Sequence, residues 1–241
     1  MPLELVASLL TWLVAFLLST TCHEAAHALV AKWGGDRTAY EAGQVTLDPI
    51  KHIRREPIGM LAVPIGSFLF HWFSTGGASG WMIGWASAPY DPFWAARHPR
   101  RAAAMALAGP GANLLLACLA VGVMHAGFQL DLFAEAPRPT LEHILVLADG
   151  EQHPLTMFLS VVFSLNILLC AFNLLPVPPL DGHNVVPGLL PEGLGRRWTK
   201  LWRSSGMSMV GLLVAWVLFG RFAFALWDAS LYLVYPGGDF P

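Results

Sequence analysis

Residues 3–35 read LELVASLLTWLVAFLLSTTCHEAAHALVAKWGG, and this stretch decides the fold. From Leu5 to Cys22 it holds no charged residue. A helix of about 20 residues crosses a hydrocarbon core about 30 Å thick, so the run spans a bilayer before it reaches His23, Glu24 and His27. It lacks the positive start of a secretory signal and carries Glu4 instead, so it reads as a retained helix. The expected bounds are about 4–33, with Gly34 and Gly35 ending the helix because glycine accepts left-handed backbone angles.

Three further charge-free runs follow at 57–90, 102–130 and 153–180. Hydrophobic residues make up 55% of the 241 and charged residues 12%, with a mean hydropathy of +0.54. A soluble domain carries roughly twice that charge. The expectation is a single all-α, multi-pass membrane domain over 1–241, a bundle of about five to six transmembrane helices. As one helix the uncharged stretch 57–90 would be about 50 Å long, too long for one crossing. Gly76-Gly77 falls in its middle, which predicts a hairpin or re-entrant segment. Helices are then expected at about 102–127, 154–175 and 207–235, with a short acidic connector before 153. Residues 36–56 are polar and mixed, and the alternation through Gly43-Gln44-Val45-Thr46-Leu47 predicts a short β strand in a surface or re-entrant loop after the first helix.

The net charge of −2 gives no footprint for a nucleic acid. Cys22, Cys118 and Cys170 all sit in apolar runs and imply no disulfide framework. If 57–90 returns to its starting side, Lys32, Arg37, Lys51, Arg54, Arg55, Arg97, Arg100, Arg101, Arg196, Arg197, Lys200 and Arg203 share one face. Only Arg138 and Arg221 lie elsewhere. The positive-inside rule makes that face cytoplasmic and puts the N-terminus outside.

Within Cys22-His23-Glu24-Ala25-Ala26-His27 is an HExxH pattern. Four helical residues advance about 400°, so both imidazoles leave one face a turn apart and can hold one zinc ion. Glu24, on the adjoining face, can take a proton from water activated by the metal. Ionisable groups at membrane depth are costly and are by default functional candidates. The bland alternative is a polar cluster at a helix end without metal. Two histidines and a water leave a tetrahedral ion one protein ligand short. Asp181 is the best candidate, because it is the sole acid between Leu155 and Val186 and sits where Pro176, Pro178, Pro179 and Gly182 break a helix. The other reading is an aspartate capping the next turn.

Together, HEAAH in a membrane helix, Ala108-Gly109-Pro110-Gly111-Ala112-Asn113, and Asn173-Leu174-Leu175-Pro176-Val177-Pro178-Pro179-Leu180-Asp181-Gly182 resemble the site-2 protease family of intramembrane zinc metalloproteases. The likeness covers most of residues 15–190. It implies one zinc per chain on His23, His27 and Asp181, with Glu24 as general base. It also places Asn173 near the metal, where a side-chain amide would help hold substrate or the oxyanion; otherwise Asn173 makes a helix–helix hydrogen bond. The implied substrate is a transmembrane protein in the lipid bilayer; the compactness of the chain points to a prokaryotic cell membrane. An activating membrane partner stays open. The chain has no room for a PDZ or CBS domain, so regulation through one is not implied.

Rival readings are a metal-ion transporter, since intramembrane His, Glu and Asp also mark ion pathways, and a proteolytically inactive homologue that binds membrane partners. His183 reads as a rim residue or a support to the metal ligands, His52 as a surface residue and His71 as a polar residue of the hairpin. Arg221 and Asp228 read as a pair that neutralises itself or touches the bundle, and Gly109-Pro110-Gly111 as a site of close helix packing.

Overall fold

A computed structural model describes residues 2–77, 79–202 and 206–237. Helix α1 (Pro2–Gly34) has 33 residues. It ends where Gly35 turns to φ 98° and the Asp36 N–H reaches back to the Ala31 carbonyl at 2.9 Å. Two short helices, α2 (Thr38–Glu41) and α3 (Pro49–Arg55), follow. Residues 43–47 between them form bends and not the expected strand. Gly43 takes φ 71°, Gln44 N–H closes onto the Ala39 carbonyl and Thr46 N–H onto the Gln44 carbonyl, each at 2.9 Å. Side-chain alternation does not make a strand without a neighbour to complete its ladder. His52, expected at the surface, is only 1% exposed, because its Nε2 bonds the Thr46 carbonyl while Lys51, Arg54 and Arg55 take the outer face.

A π-helical turn (Ile58–Ala62) leads into α4 (Val63–Ser74), bent 113° from α3. Gly76 and Gly77, at φ 66° and 86°, turn the chain, and His71 shares a hydrogen bond with Ser79 across the tip. The return arm is an extended strap, 79–91, with no helix. It lies directly on the π-helical turn: Trp85 N–H donates to the Gly59 carbonyl at 3.1 Å. A Cβ on Gly59 would stand 2.3 Å from the Trp85 carbonyl oxygen, so only glycine allows this approach.

Beyond the strap, α5 (Pro92–Arg97) is capped by the Asp91 carboxylate and α6 (Pro99–Gln129) runs antiparallel to α1. Strands β1 (Phe133–Glu135) and β2 (Leu145–Leu147) form an antiparallel pair, with Phe133 opposite Leu147. Then come α7 (Pro154–Asn173), α8 (Asp181–Leu189), α9 (Glu192–Leu201) and α10 (Met207–Leu231).

The protein is a mostly helical, multi-pass membrane protein. Four helices, α1, α6, α7 and α10, are long and apolar enough to cross a bilayer, and α3 with 58–74 makes five if that bent pair counts as one. Their buried seam joins Trp12 and Phe16 of α1, Phe68 of α4, Met124 of α6, Phe163 of α7 and Trp227 of α10. One buried carboxylate locks the seam at the end opposite the histidines. Glu142 accepts from Trp12 Nε1 at 2.6 Å, from the Gly80 N–H at 2.7 Å and from Ser8 Oγ at 3.3 Å. Most of α10 faces outward; Arg221 and Asp228 are both exposed on it, and no ion pair joins them among the described residues.

Candidate metal centre

The site sits where α1, α6 and α8 meet. His23 and His27 leave one face of α1, with their rings 4.6 Å apart and at 82° to each other. Their Nε2 atoms are 3.0 Å apart. Asp181 opens α8 and brings Oδ2 to 3.0 Å from His23 Nε2 and Oδ1 to 3.2 Å from His27 Nε2. Gly182 makes this possible, since a Cβ there would fall 2.3 Å from the Leu174 carbonyl oxygen and force the proline-rich loop open. Among the described residues this is the single group of three or more His, Cys, Asp or Glu with donors close enough to share an ion.

The donor set fits zinc. Bonds of about 2.0–2.1 Å in a tetrahedron place neighbouring donors about 3.4 Å apart, within a few tenths of an ångström of the spacings here. The far nitrogens are engaged: His27 Nδ1–H donates to the Met105 carbonyl at 2.7 Å, and His23 Nδ1 lies 2.6 Å from Asn113 Oδ1. In neutral rings this leaves both Nε2 lone pairs facing inward, the arrangement that supports metal-binding histidines. Asp181 Oδ2 is buried and receives no hydrogen bond. Three electron-pair donors thus converge on one point, which a cation satisfies.

Helix α6 supplies the floor. Met105, Gly109 and Asn113 recur every four residues and lie on one face. The outer two accept from the histidines and the middle one leaves space, because a Cβ on Gly109 would stand 2.3 Å from His27 Nε2 and 2.5 Å from His23 Nε2. The close packing expected at Gly109-Pro110-Gly111 therefore has its tightest point against the imidazoles.

A cavity of about 210 Å³ opens beside the donors. Glu24 and His27 of α1, the strap residues 86–90, Met105, Asp181 and Asn184 wall it. Glu24 is only 6% exposed yet faces this space. Tyr90 stays a protonated phenol there, because burial and then the Asp181 charge push its pKa up. Asn173 stands outside the lining; its amide donates to the Leu169 carbonyl at 3.0 Å within α7. His183 packs under α9, accepting from Trp198 Nε1 at 3.1 Å, and burial pushes its pKa down.

Several residues here carried no role in the sequence reading. The sequence marks Asn113 only as the end of a motif and assigns nothing to Ser19, Asn166, Tyr90 or the Met105 carbonyl. A signal existed for Ser19, Asn113 and Asn166, since each is a polar side chain within an apolar membrane helix.

The sequence profile of peptidase family M50 matches residues 11–218. YwhC of Bacillus subtilis (strain 168), named as a candidate zinc metalloprotease, is 34% identical over 195 residues, covering 80% of this chain and 75% of the relative. Rip2 of Mycolicibacterium smegmatis (strain ATCC 700084 / mc(2)155), named likewise, is 27% identical over 251 aligned positions, covering 99% of this chain and 82% of the relative. No solved structure matches.

Proposed function

This chain belongs to peptidase family M50, the site-2 protease family of zinc metallopeptidases, and from that premise we propose that it cuts transmembrane segments of other membrane proteins within the bilayer. The observation that carries the reading is the convergence of His23 Nε2, His27 Nε2 and Asp181 within 3.0–3.2 Å of one another, where α8 meets the membrane helices α1 and α6, beside an open cavity. His23, His27 and Asp181 would hold one zinc per chain. When bound, zinc polarises a carbonyl and lowers the pKa of water towards about 7. Glu24 takes the proton of the attacking water on its carboxylate and delivers it to the departing amine.

A helix cannot be cut while its carbonyls remain in their own ladder, so the substrate must enter unwound. The strap supplies what such a segment lacks. Its inner edge is fastened by Trp85 N–H to the Gly59 carbonyl and by Arg55 Nε to the Ser87 carbonyl at 3.0 Å. Among the described residues, no hydrogen bond engages the backbone of Ala86, Ala88 or Tyr90, every second residue along the cavity wall. Residues two apart on an extended chain share an edge, and a free edge pairs with an added strand. This edge receives the substrate as an added strand. Tyr90 and Asn184 are neutral donors that line the same cavity. Asn173 joins them only by giving up the Leu169 carbonyl.

The cavity opens at the end of the bundle that carries the basic residues. Arg101 Nη1 and Trp94 Nε1 both bond the Gly34 carbonyl there, and the Pro99 carbonyl packs against Gly188 of α8. That end is cytoplasmic by the positive-inside rule, which puts the N-terminus outside the cell membrane; Arg203, counted with this set, lies outside the described residues.

The test is cleavage of single-span test proteins in liposomes by wild type and Glu24→Gln, with bound zinc quantified in both. Cleavage by wild type alone, with equal zinc, supports the proposal. Zinc carried across the bilayer without cleavage would instead make it a transporter, and zinc bound with neither result would make it an inactive homologue.

A further inference from the structure

The hydrogen bonds behind His23 form a chain in which every joint has one possible direction. Asn166 Nδ2 lies 2.8 Å from the Val162 carbonyl and 2.8 Å from Ser19 Oγ. A peptide carbonyl only accepts, and the Ser19 hydroxyl proton is already given to the Ala15 carbonyl at 2.7 Å. Both Asn166 amide protons are therefore used, and its orientation is fixed. Asn166 Oδ1 must then be what faces Asn113, and Asn113 must meet it with its amide nitrogen, at 2.7 Å. That leaves Asn113 Oδ1 against His23 Nδ1, so Nδ1 carries the proton and Nε2 the lone pair. Ser19, Asn113 and Asn166 are fully buried.

We propose that Asn166, acting through Asn113, is a positioning residue that decides which nitrogen of His23 faces the metal. The inference rests on the metal-site reading above. Asn113 alone is ambiguous, because an amide turned by 180° presents donors where it had an acceptor. Turned that way, it would put the His23 proton on Nε2 and close that position to an ion. Asn166 removes the choice. His27 needs no such guard, since its partner is a backbone carbonyl, which cannot turn.

The experiment uses the full chain in detergent, with zinc affinity read by competition against a graded chelator and apo-protein unfolding read separately. Asn166→Leu, which keeps the branched outline of asparagine without its polar atoms, is expected to weaken zinc binding about 10- to 100-fold, the usual effect of losing such a supporting partner. Adding Asn113→Asp in the same chain is expected to restore affinity to within about threefold of wild type, because a carboxylate accepts from either oxygen and has no wrong way round. Asn113→Asp alone should bind zinc more weakly than the double variant, since Asn166 Oδ1 then faces a second acceptor. Asn166→Ala, which adds no bulk, serves as a second background should the leucine variant not fold. Unchanged zinc affinity in both Asn166 variants overturns the proposal, as does loss without rescue by Asn113→Asp, the pattern of a packing role. Failure of the metal site itself shows differently: His23→Ala would then leave zinc affinity unchanged.

Discussion

Gly109→Ala isolates the geometry of the metal centre in one methyl group. The added carbon would stand 2.3 Å from His27 Nε2, 2.5 Å from His23 Nε2 and 2.6 Å from His23 Cε1. Ordinary contact is about 3.5 Å, so each ring must retreat by roughly 1 Å or α6 must draw away from α1. Neither ring is free to retreat, because both Nδ1 atoms are bonded to α6 itself, at Asn113 and Met105. The helices must part, and forcing a methyl into a packed interior costs about 1–3 kcal/mol. At 1.4 kcal/mol per tenfold, zinc affinity should fall roughly 5- to 100-fold if that strain is relieved on losing the ion. The assay is zinc content against a chelator series, beside Gly111→Ala, where an added Cβ meets nothing within 4 Å. Gly111→Ala should bind zinc as wild type does. Equal zinc affinity in both variants would refute the close approach of α6 to the imidazoles.

The other predictions concern the parts that hold the site in place. Gly84→Ala sets a carbon 2.4 Å from the Gly59 carbonyl oxygen and should lift the strap, lowering cleavage about tenfold with zinc retained; cleavage equal to that of Gly66→Ala, whose Cβ meets nothing within 4 Å, would count against it. Asp36 accepts from the Thr38 N–H, the Thr38 hydroxyl and the Asp91 N–H; burial alone would raise its pKa, but these bonds prevail and hold it below the ordinary value of about 3.9. Its stabilisation is therefore complete above that ordinary value and is lost as pH falls through the lower folded one. Protease sensitivity of the strap should rise below about pH 4, and Asp36→Asn should be more sensitive already at pH 7 with a flatter acid response; identical profiles would refute the tie. Glu142→Leu strands the Trp12, Ser8 and Gly80 donors and should cost on the order of 3 kcal/mol of stability in a denaturant titration. A loss below about 1 kcal/mol would mean that water replaces the carboxylate.

What was legible in the sequence followed from periodicity and from rarity. His23 and His27 share a face because helical spacing requires it, and Asp181 stood out as the sole acid of a long apolar stretch. The turn at Gly76-Gly77 was legible because no single crossing accommodates 34 uncharged residues. The strand read at 43–47 failed because alternation is a local signal, whereas a ladder needs a partner that only the tertiary fold provides. His52 was misplaced for a related reason: its burial comes from one bond to Thr46, six residues back. The strap is extended where its composition permitted a helix, held by bonds to Gly59 and to Arg55, distant in sequence. Asn113 and Asn166 stand 53 positions apart, and nothing local marks them as neighbours.

Asp181 follows His27 by 154 residues (181 − 27), and Asn166 also belongs to the last third of the chain. During synthesis, α1 enters the membrane with its two histidines and its glutamate long before either residue leaves the ribosome. A two-histidine site lacks the anionic donor of the trio. On the proposed reading, a half-made chain therefore holds Glu24 before the donor set for the ion is complete. On that reading, the order of residues along the polypeptide delays completion of the donor set until the bundle is nearly built.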